Sequence, residues 1–147
     1  MKDKKQYPPA YQDTLEHLKF SYNWNGKLFT EFFTTIRLYN PDKFQMGKEL
    51  MCLYTPGKNV YKIGVVKVVS IRAFYLDEIP KITSYLDTGY NDKQTKATIR
   101  KMYQNKGINF HKQKMMLILL QNKSYFDIKK RMKSTDVFVL SPTLSNS

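Results

Sequence analysis

The chain has 147 residues, with 25 Lys and Arg against 12 Asp and Glu, which gives a formal net charge of +13. A hydrophobic fraction of 41% and a content of 9 Phe, 11 Tyr and 1 Trp exclude a disordered or low-complexity chain and predict one folded domain. One cysteine excludes an internal disulfide framework, and with two histidines it also excludes a thiolate-rich zinc site. We expect neither a metal nor another cofactor.

The excess of positive charge favours a polyanionic partner, such as nucleic acid or an anionic membrane. Because 21 of the 25 basic residues are Lys, a solvated surface that only keeps the protein soluble is the alternative. The longest apolar run, residues 115–120, is far shorter than the roughly 20 residues of a membrane helix. The N-terminal residues lead into no apolar signal segment. We therefore expect a cytoplasmic protein without a membrane partner; the oligomeric state stays open.

The first half of the chain reads as strands. Residues 1–14, polar with a Pro8-Pro9 pair, are predicted to form an N-terminal arm. Alternating polar and apolar residues predict a strand within residues 17–22, followed by a turn at Asn23, Asn25 and Gly26. Aromatic and β-branched residues predict another over 33–38, with Thr35 and Arg37 on one face. Further strands are predicted over 49–54 and 60–75.

Two short helices and a last strand follow. The first helix is predicted to begin with Asp77 as N-cap and Pro80 in its first turn, and to end at Gly89. Its apolar residues at helical spacing are Ile79, Ile82, Tyr85 and Leu86. The second helix is predicted over 92–105, with a stripe formed by Thr95, Ile99, Met102 and Tyr103. The run at 115–120 predicts a central strand buried on both faces.

These elements predict an α+β fold with about 5–6 strands and two or three short helices. We assign residues 15–123 to this domain and residues 124–147 to a C-terminal extension. The extension contains a basic amphipathic segment and a strand-like segment at 137–140.

The order of these elements resembles the ASCH family of the PUA-like superfamily of small β-barrels. The matching residues extend over roughly 15–121 and comprise Thr35-Ile36-Arg37, Phe44-x-x-Gly47, the valine-rich strand at 64–71, Leu76-Asp77-Glu78-Ile79, Asp87-Thr88-Gly89-Tyr90 and a helix ending near Tyr103. The resemblance implies that the strands form a PUA-like mixed β-barrel with a cleft beside the Thr-x-Arg strand. It also implies that this cleft binds RNA or a nucleotide, including modified bases.

The same resemblance raises the question of catalysis. Some small ASCH proteins deacylate N4-acetylcytidine with a lysine, a threonine and a glutamate, in a Lys-x-x-Thr-x-Arg pattern. Here Thr35 and Arg37 match the pattern, but Phe32 occupies the lysine position. The glutamate position falls near Asp87 or Thr88. We therefore favour binding over catalysis.

If the protein is an enzyme, we expect an amidohydrolase on acylated cytidine or an RNA-cleaving enzyme. Thr35 would then be the nucleophile, with Lys27 or Glu31 replacing the missing base.

Five residues are candidate ligand contacts. Arg37 can bind a phosphate bidentately or stack on a base, and the alternative is an exposed Arg paired with Glu31. Thr35 shares its face and can hydrogen-bond a ligand, or is simply a half-buried strand residue. Lys27, Trp24 and Tyr90 are placed near the same cleft. Trp24 can stack on a base, although a lone Trp is also a common core anchor.

Two basic clusters are candidate phosphate contacts, with solvated helix faces as the alternative. They are Lys93, Lys96, Arg100 and Lys101 on the second helix, and Lys129, Lys130 and Arg131 in the extension. A third interpretation is a protein-interaction module that uses the segment at 137–140 for strand addition. The two histidines are expected to be structural or exposed, and Cys52 is expected to be a buried strand residue.

Overall fold

The computed structural model describes residues 14–125, which form an α+β fold with one five-stranded sheet. The strands are β1 (His17–Phe20), β2 (Phe32–Leu38), β3 (Glu49–Tyr54), β4 (Tyr61–Phe74) and β5 (Met115–Asn122). Two α-helices, α1 (Lys81–Thr88) and α2 (Asp92–Met102), stand between β4 and β5, and 3-10 helices cover Trp24–Phe29 and Leu76–Glu78. The predicted fold class is confirmed. The N-terminal arm, apart from Thr14, and the extension beyond Tyr125 lie outside the described residues.

The strand order in the sheet is β1-β3-β4-β5-β2. β1 pairs with β3 in parallel, and all other pairs are antiparallel, so the sheet is mixed as predicted. β4 has 14 residues and reaches both β3 and β5, with register shifts in its ladders between Cys52 and Leu53 and between Val68 and Ser70. Such irregularities bend strands and increase their twist, and the sheet is curled into a half-barrel.

Apolar side chains pack on both faces of this sheet. The interior of the half-barrel holds the main core, which includes Leu18, Leu50, Val66, Ile118 and Leu120. On the other face, Leu76, Ile99 and Met115 form a second cluster, against which Ile36 and Leu38 pack. β2 therefore has core on both sides, with Phe33 and Thr35 buried towards the interior. The predicted alternation along β2 is confirmed.

The two edge strands of the sheet, β1 and β2, approach each other without pairing. The rings of Phe20 and Phe33 meet edge to face, with centroids 5.9 Å apart. Nearby, Arg37 Nη2 donates a hydrogen bond to the carbonyl oxygen of Lys19 over 2.7 Å. We call this gap between His17–Phe20 and Phe32–Leu38 the seam; side-chain contacts bridge it in place of a backbone ladder.

The predicted start of the first helix is wrong. Residues Leu76–Glu78 form a separate 3-10 turn, and α1 begins at Lys81 with Pro80 as its N-cap. The physical reason is the Ile79-Pro80 pair, because the residue before a proline is disfavoured in helical conformation and Ile79 is extended, with φ −62° and ψ 128°. The predicted end is confirmed: Gly89 takes a left-handed conformation, with φ 80°.

The orientation of α1 is also opposite to the one its apolar spacing indicates. Its buried residues are the polar Thr83, Ser84, Asp87 and Thr88. Its large apolar residues Ile82, Tyr85 and Leu86 are exposed. Asp87 and Thr88 find polar partners beneath the helix, which is why this part of the polar face can be buried, whereas Ser84 Oγ has no hydrogen-bond partner among the described residues.

Two smaller predictions need correction. The predicted turn at Asn23, Asn25 and Gly26 is part of the 3-10 helix Trp24–Phe29, and the Asn23 side chain accepts a hydrogen bond from the Leu28 amide over 2.9 Å. The second helix ends at Met102 rather than at residue 105, with Tyr103 as its C-cap.

Candidate functional site

A cavity of about 150 Å³ opens at the seam between the two edge strands and the helices. One wall consists of residues 19–22, which end and follow β1, and another consists of residues 35–37 of β2. Asp87 and Thr88 line it from the end of α1, and one face of α2 completes it. We call this cavity the cleft. Thr35 and Arg37, the pair that the sequence predicts to share a face, both line it.

Arg37 is held in the cleft by three contacts. Its Nε donates to Thr35 Oγ1 over 3.0 Å, and its Nη2 donates to the Lys19 carbonyl oxygen. The Phe20 ring lies under the guanidinium, with Cζ 4.6 Å from the ring centroid. Burial lowers the pKa of Arg37, yet an arginine stays protonated at neutral pH. The cleft therefore contains an oriented positive charge.

The guanidinium of Arg37 has N–H donors that are available to a ligand. Of its five N–H groups, two are engaged in the hydrogen bonds to Thr35 and Lys19, which leaves three. Among the described residues Arg37 pairs with no carboxylate; Glu31, the partner considered from the sequence, accepts a hydrogen bond from Gln121 Nε2 over 3.4 Å instead. A planar cation with free donors is suited to a phosphate or a base edge.

Threonine hydroxyls form another part of the cleft wall. Thr88 Oγ1 donates to the Ser84 carbonyl oxygen over 2.9 Å and lies 3.0 Å from Thr95 Oγ1. The Tyr90 amide also donates to Thr88 Oγ1 over 3.0 Å. These bonds fix the end of α1 against α2, so the wall is polar and ordered. Tyr90, predicted at the cleft rim, is tied to this wall through its backbone, and its side chain is exposed.

A buried ion pair lies at the α1 side of the cleft. Lys27 Nζ is 3.1 Å from Asp87 Oδ1, and these residues are only 8% and 3% exposed. Thr34 Oγ1 donates to the same carboxylate oxygen over 2.8 Å. Burial lowers the pKa of Lys27, and the nearby Asp87 carboxylate opposes that shift. Lys27, Asp87 and Thr34 thus form one hydrogen-bonded group.

The other predicted catalytic and stacking residues lie outside this group. Glu31 bonds Gln121, and Phe32, at the lysine position of the hydrolase pattern, is 50% exposed. Trp24 begins a 3-10 helix, but its side chain lies outside what the structure describes. Asp87 was noted in the sequence only as a position near a missing glutamate.

The basic residues of α2 face away from the cleft. Thr95, Ile99 and Met102 line it, whereas Lys93, Lys96 and Arg100 follow a different helical stripe, on roughly the opposite side. Arg100 forms an ion pair with Asp77, and Lys96 Nζ donates to the Asp77 carbonyl oxygen over 3.1 Å. Lys93 and Lys101 are exposed. The second predicted cluster, Lys129, Lys130 and Arg131, lies outside the described residues.

Other chemistry is sparse in this part of the molecule. In residues 14–125, no three His, Cys, Asp or Glu side chains are grouped to hold a metal ion. The helices of this region are too short and too polar to cross a membrane. Cys52 is buried in β3 as expected, and burial raises the pKa of its thiol to about 12.

Comparison of the chain with protein-family models, curated proteins and solved structures found no match. The likeness to the ASCH family therefore stays a prediction, and the function has to be argued from the cleft itself.

Proposed function

We propose that the protein binds RNA or a nucleotide in the cleft beside Thr35 and Arg37. One observation carries the proposal: a half-buried guanidinium, oriented by Thr35, Lys19 and Phe20, faces a cavity and has no carboxylate partner among residues 14–125. Burying a cation without an anion costs free energy. A bound phosphate or base edge would supply the missing partner.

The volume of the cleft favours part of a nucleotide over a whole one. A cavity of about 150 Å³ holds one six-membered ring such as benzene. The cleft therefore has room for a single base, with the sugar and phosphate at its mouth. The hydroxyls of Thr35 and Thr98, which also line the cleft, can hydrogen-bond the polar edge of that base. The overall charge of +13 would attract the polyanion from a distance.

The test compares two arginines. Arg37→Ala should weaken binding of a short single-stranded RNA by about 10- to 100-fold, the usual effect of losing hydrogen bonds to a charged group. Arg72→Ala removes an exposed arginine of β4 that does not line the cleft and is the matched control. Binding is measured by fluorescence anisotropy, and thermal melting checks that both variants fold. Equal affinities for the two variants would remove Arg37 from the site and refute the proposal.

A second candidate function is hydrolysis of an acylated nucleoside. The observation that favours it is the group formed by Lys27, Asp87 and Thr34 at the edge of the cleft. Asp87 supplies the carboxylate that the sequence pattern lacked, and the threonine bonded to it is Thr34 rather than Thr35. Asp87 can accept the proton of the Thr34 hydroxyl, as a general base does for a nucleophile.

Incubation with N4-acetylcytidine tests this second candidate. Active protein should release acetate and cytidine, and Thr34→Val should abolish the release while leaving the fold intact. Thr55→Val, at a half-buried threonine that does not line the cleft, is the matched control. Absence of turnover in the wild-type protein would eliminate the candidate and leave binding alone. The third interpretation, strand addition through residues 137–140, concerns a segment outside the described residues.

A further inference from the structure

A group of basic side chains adjoins the cleft on the β1 side of the seam. Its members are Lys19, Arg37, Lys43 and Lys48, and we call them the seam cluster. Lys19 and Arg37 line the cleft themselves. Lys43 lies close enough to Arg37, Lys48 and Lys19 for their charges to act on its amine, together with that of Glu16. None of the three lysines belongs to the basic residues singled out in the sequence.

The turn that carries Lys43 is braced. Its amide donates to Asn40 Oδ1 over 3.2 Å, and the next amide, of Phe44, donates to the Asn40 carbonyl oxygen over 3.0 Å. The Phe44 side chain is buried in the main core. Lys48 Nζ also donates to the carbonyl oxygen of Asp42 over 3.1 Å, within the same turn. The lysine is therefore presented from a fixed backbone, which lowers the entropic cost of binding a ligand.

The positive charge of the seam cluster is only partly neutralised. Glu16, the carboxylate that acts on Lys43, is hydrogen-bonded to Lys48, and Asp87, the carboxylate that acts on Arg37, is paired with Lys27. In the part of the chain that the structure describes, Lys19, Lys43 and Arg37 have no ion-pair partner. Burial and the charge of Arg37 lower the pKa of Lys43, as expected where like charges crowd together. An anion at this place would relieve the repulsion.

We propose that Lys19 and Lys43 form a phosphate subsite beside Arg37, which holds a backbone phosphate of a single RNA strand. The proposal rests on the proposed function and extends it from a nucleotide to a strand. The cleft accepts one base, so the phosphates flanking it must lie outside the cavity, beside Lys19 and Arg37 in its wall. The charges of these two residues also act on Lys43. The basic stripe of α2 is a poorer phosphate site, because Lys96 and Arg100 are tied to Asp77 and face away.

Salt dependence of binding tests this subsite. With a short oligouridylate, Lys19→Gln and Lys43→Gln should each weaken binding at low salt. The double variant Lys19→Gln/Lys43→Gln should also reduce the slope of log affinity against log salt by about 0.7, the value of the one phosphate contact that the two lysines share on a single strand. Lys93→Gln and Lys101→Gln, on exposed positions of α2, are the matched controls and should change neither quantity. Weaker binding and a smaller salt slope for Lys93→Gln and Lys101→Gln, with no change for the Lys19 and Lys43 variants, would refute the subsite and place the RNA strand on α2.

A second measurement separates this proposal from the proposed function. Inorganic phosphate at fixed ionic strength should raise the melting temperature of the wild-type protein relative to chloride, and Lys43→Gln should lose that rise. If RNA does not bind but the phosphate effect depends on Lys43, the proposed function fails while an anion subsite stands. If RNA binding depends on Arg37, but the substitutions of Lys19 and Lys43 change neither the salt dependence of binding nor the effect of phosphate on the melting temperature, the subsite fails while the proposed function stands.

Discussion

At the scale of single residues, the pair formed by Lys27 and Asp87 has the largest energetic consequence. Both side chains are buried, and Thr34 donates to the same carboxylate. A buried ion pair gains little over an apolar pair of the same volume, because both charges lose their hydration. Removing one partner is far worse, since the other charge is then left buried alone. The pair therefore makes the two residues depend on each other.

Asp87→Asn is accordingly expected to lower the free energy of unfolding by about 3–5 kcal/mol. The double variant Lys27→Met/Asp87→Leu should recover most of that loss. Urea denaturation measures both. Asp77→Asn serves as the control, because the Asp77–Arg100 pair is nearly half exposed and is screened by solvent. A loss for Asp87→Asn no larger than that of Asp77→Asn would contradict the buried pair.

The buried thiol of Cys52 should make the folding stability of the protein decrease at alkaline pH. Burial raises the pKa of its thiol from 9.0 to about 12, so the folded protein keeps the proton at pH values where the unfolded chain releases it. Stability from this group is fully present below pH 9.0 and declines as the pH rises towards 12. The decline approaches about 1.4 kcal/mol per pH unit.

Denaturation of the wild-type protein and of Cys52→Ala between pH 8 and pH 11 measures this effect, with roughly 1.4 kcal/mol per unit as its upper slope. The wild type should lose stability relative to the variant as the pH rises. Parallel curves would mean that the thiol ionises equally in both states, which its burial forbids.

At the scale of elements, strands were easier to predict than helix orientation. Alternation placed Thr35 and Arg37 on one face of β2, and five strands follow from such local patterns. The orientation of α1 was not predictable in this way. Its buried polar residues depend on Lys27 and Thr34, which are 60 and 53 positions from Asp87 in the chain. Periodicity reports which residues are apolar, not which distant partners make a polar face the buried one.

Because the apolar face of α1 is exposed, the protein should tolerate a polar substitution on that face. Leu86 is 69% exposed, so Leu86→Gln should change the free energy of unfolding by no more than about 0.5 kcal/mol. Leu76→Ala, in the second cluster, is the comparison and should cost about 2–5 kcal/mol. Urea denaturation distinguishes them. A large loss for Leu86→Gln would mean that the apolar stripe of α1 faces the core after all.

At the scale of the whole molecule, the half-barrel is held across the seam by side chains. Phe20 and Phe33 are both buried, one on each edge strand, and their rings touch. The sequence predicted the strands that carry them but not that these strands are the two edges, since strand order depends on pairings between distant segments. For the same reason it predicted Arg37 and Thr35 in the cleft and missed Lys19 and Lys43.

A double-mutant cycle measures the contact across the seam. Phe20→Leu and Phe33→Leu should each destabilise the protein, with a coupling energy of about 0.5–1.5 kcal/mol, as found for aromatic pairs. The pair Phe33→Leu and Phe110→Leu, which belong to different clusters, should show no coupling. Equal coupling in the two cycles would show that the rings do not meet across the seam.

Because the seam is not closed by backbone pairing, the five strands of the sheet differ in their number of neighbours. β3, β4 and β5 each have a neighbouring strand on both sides, whereas β1 and β2 have one. Amide protons that point from the edge strands into the gap should exchange with solvent sooner than those of the three inner strands. A ligand that binds in the seam should slow the hydrogen exchange of these edge-strand amides and leave the exchange of amides in β3, β4 and β5 unchanged. The three inner strands thus determine the stability of the fold, and the two edge strands determine which ligand can bind between them.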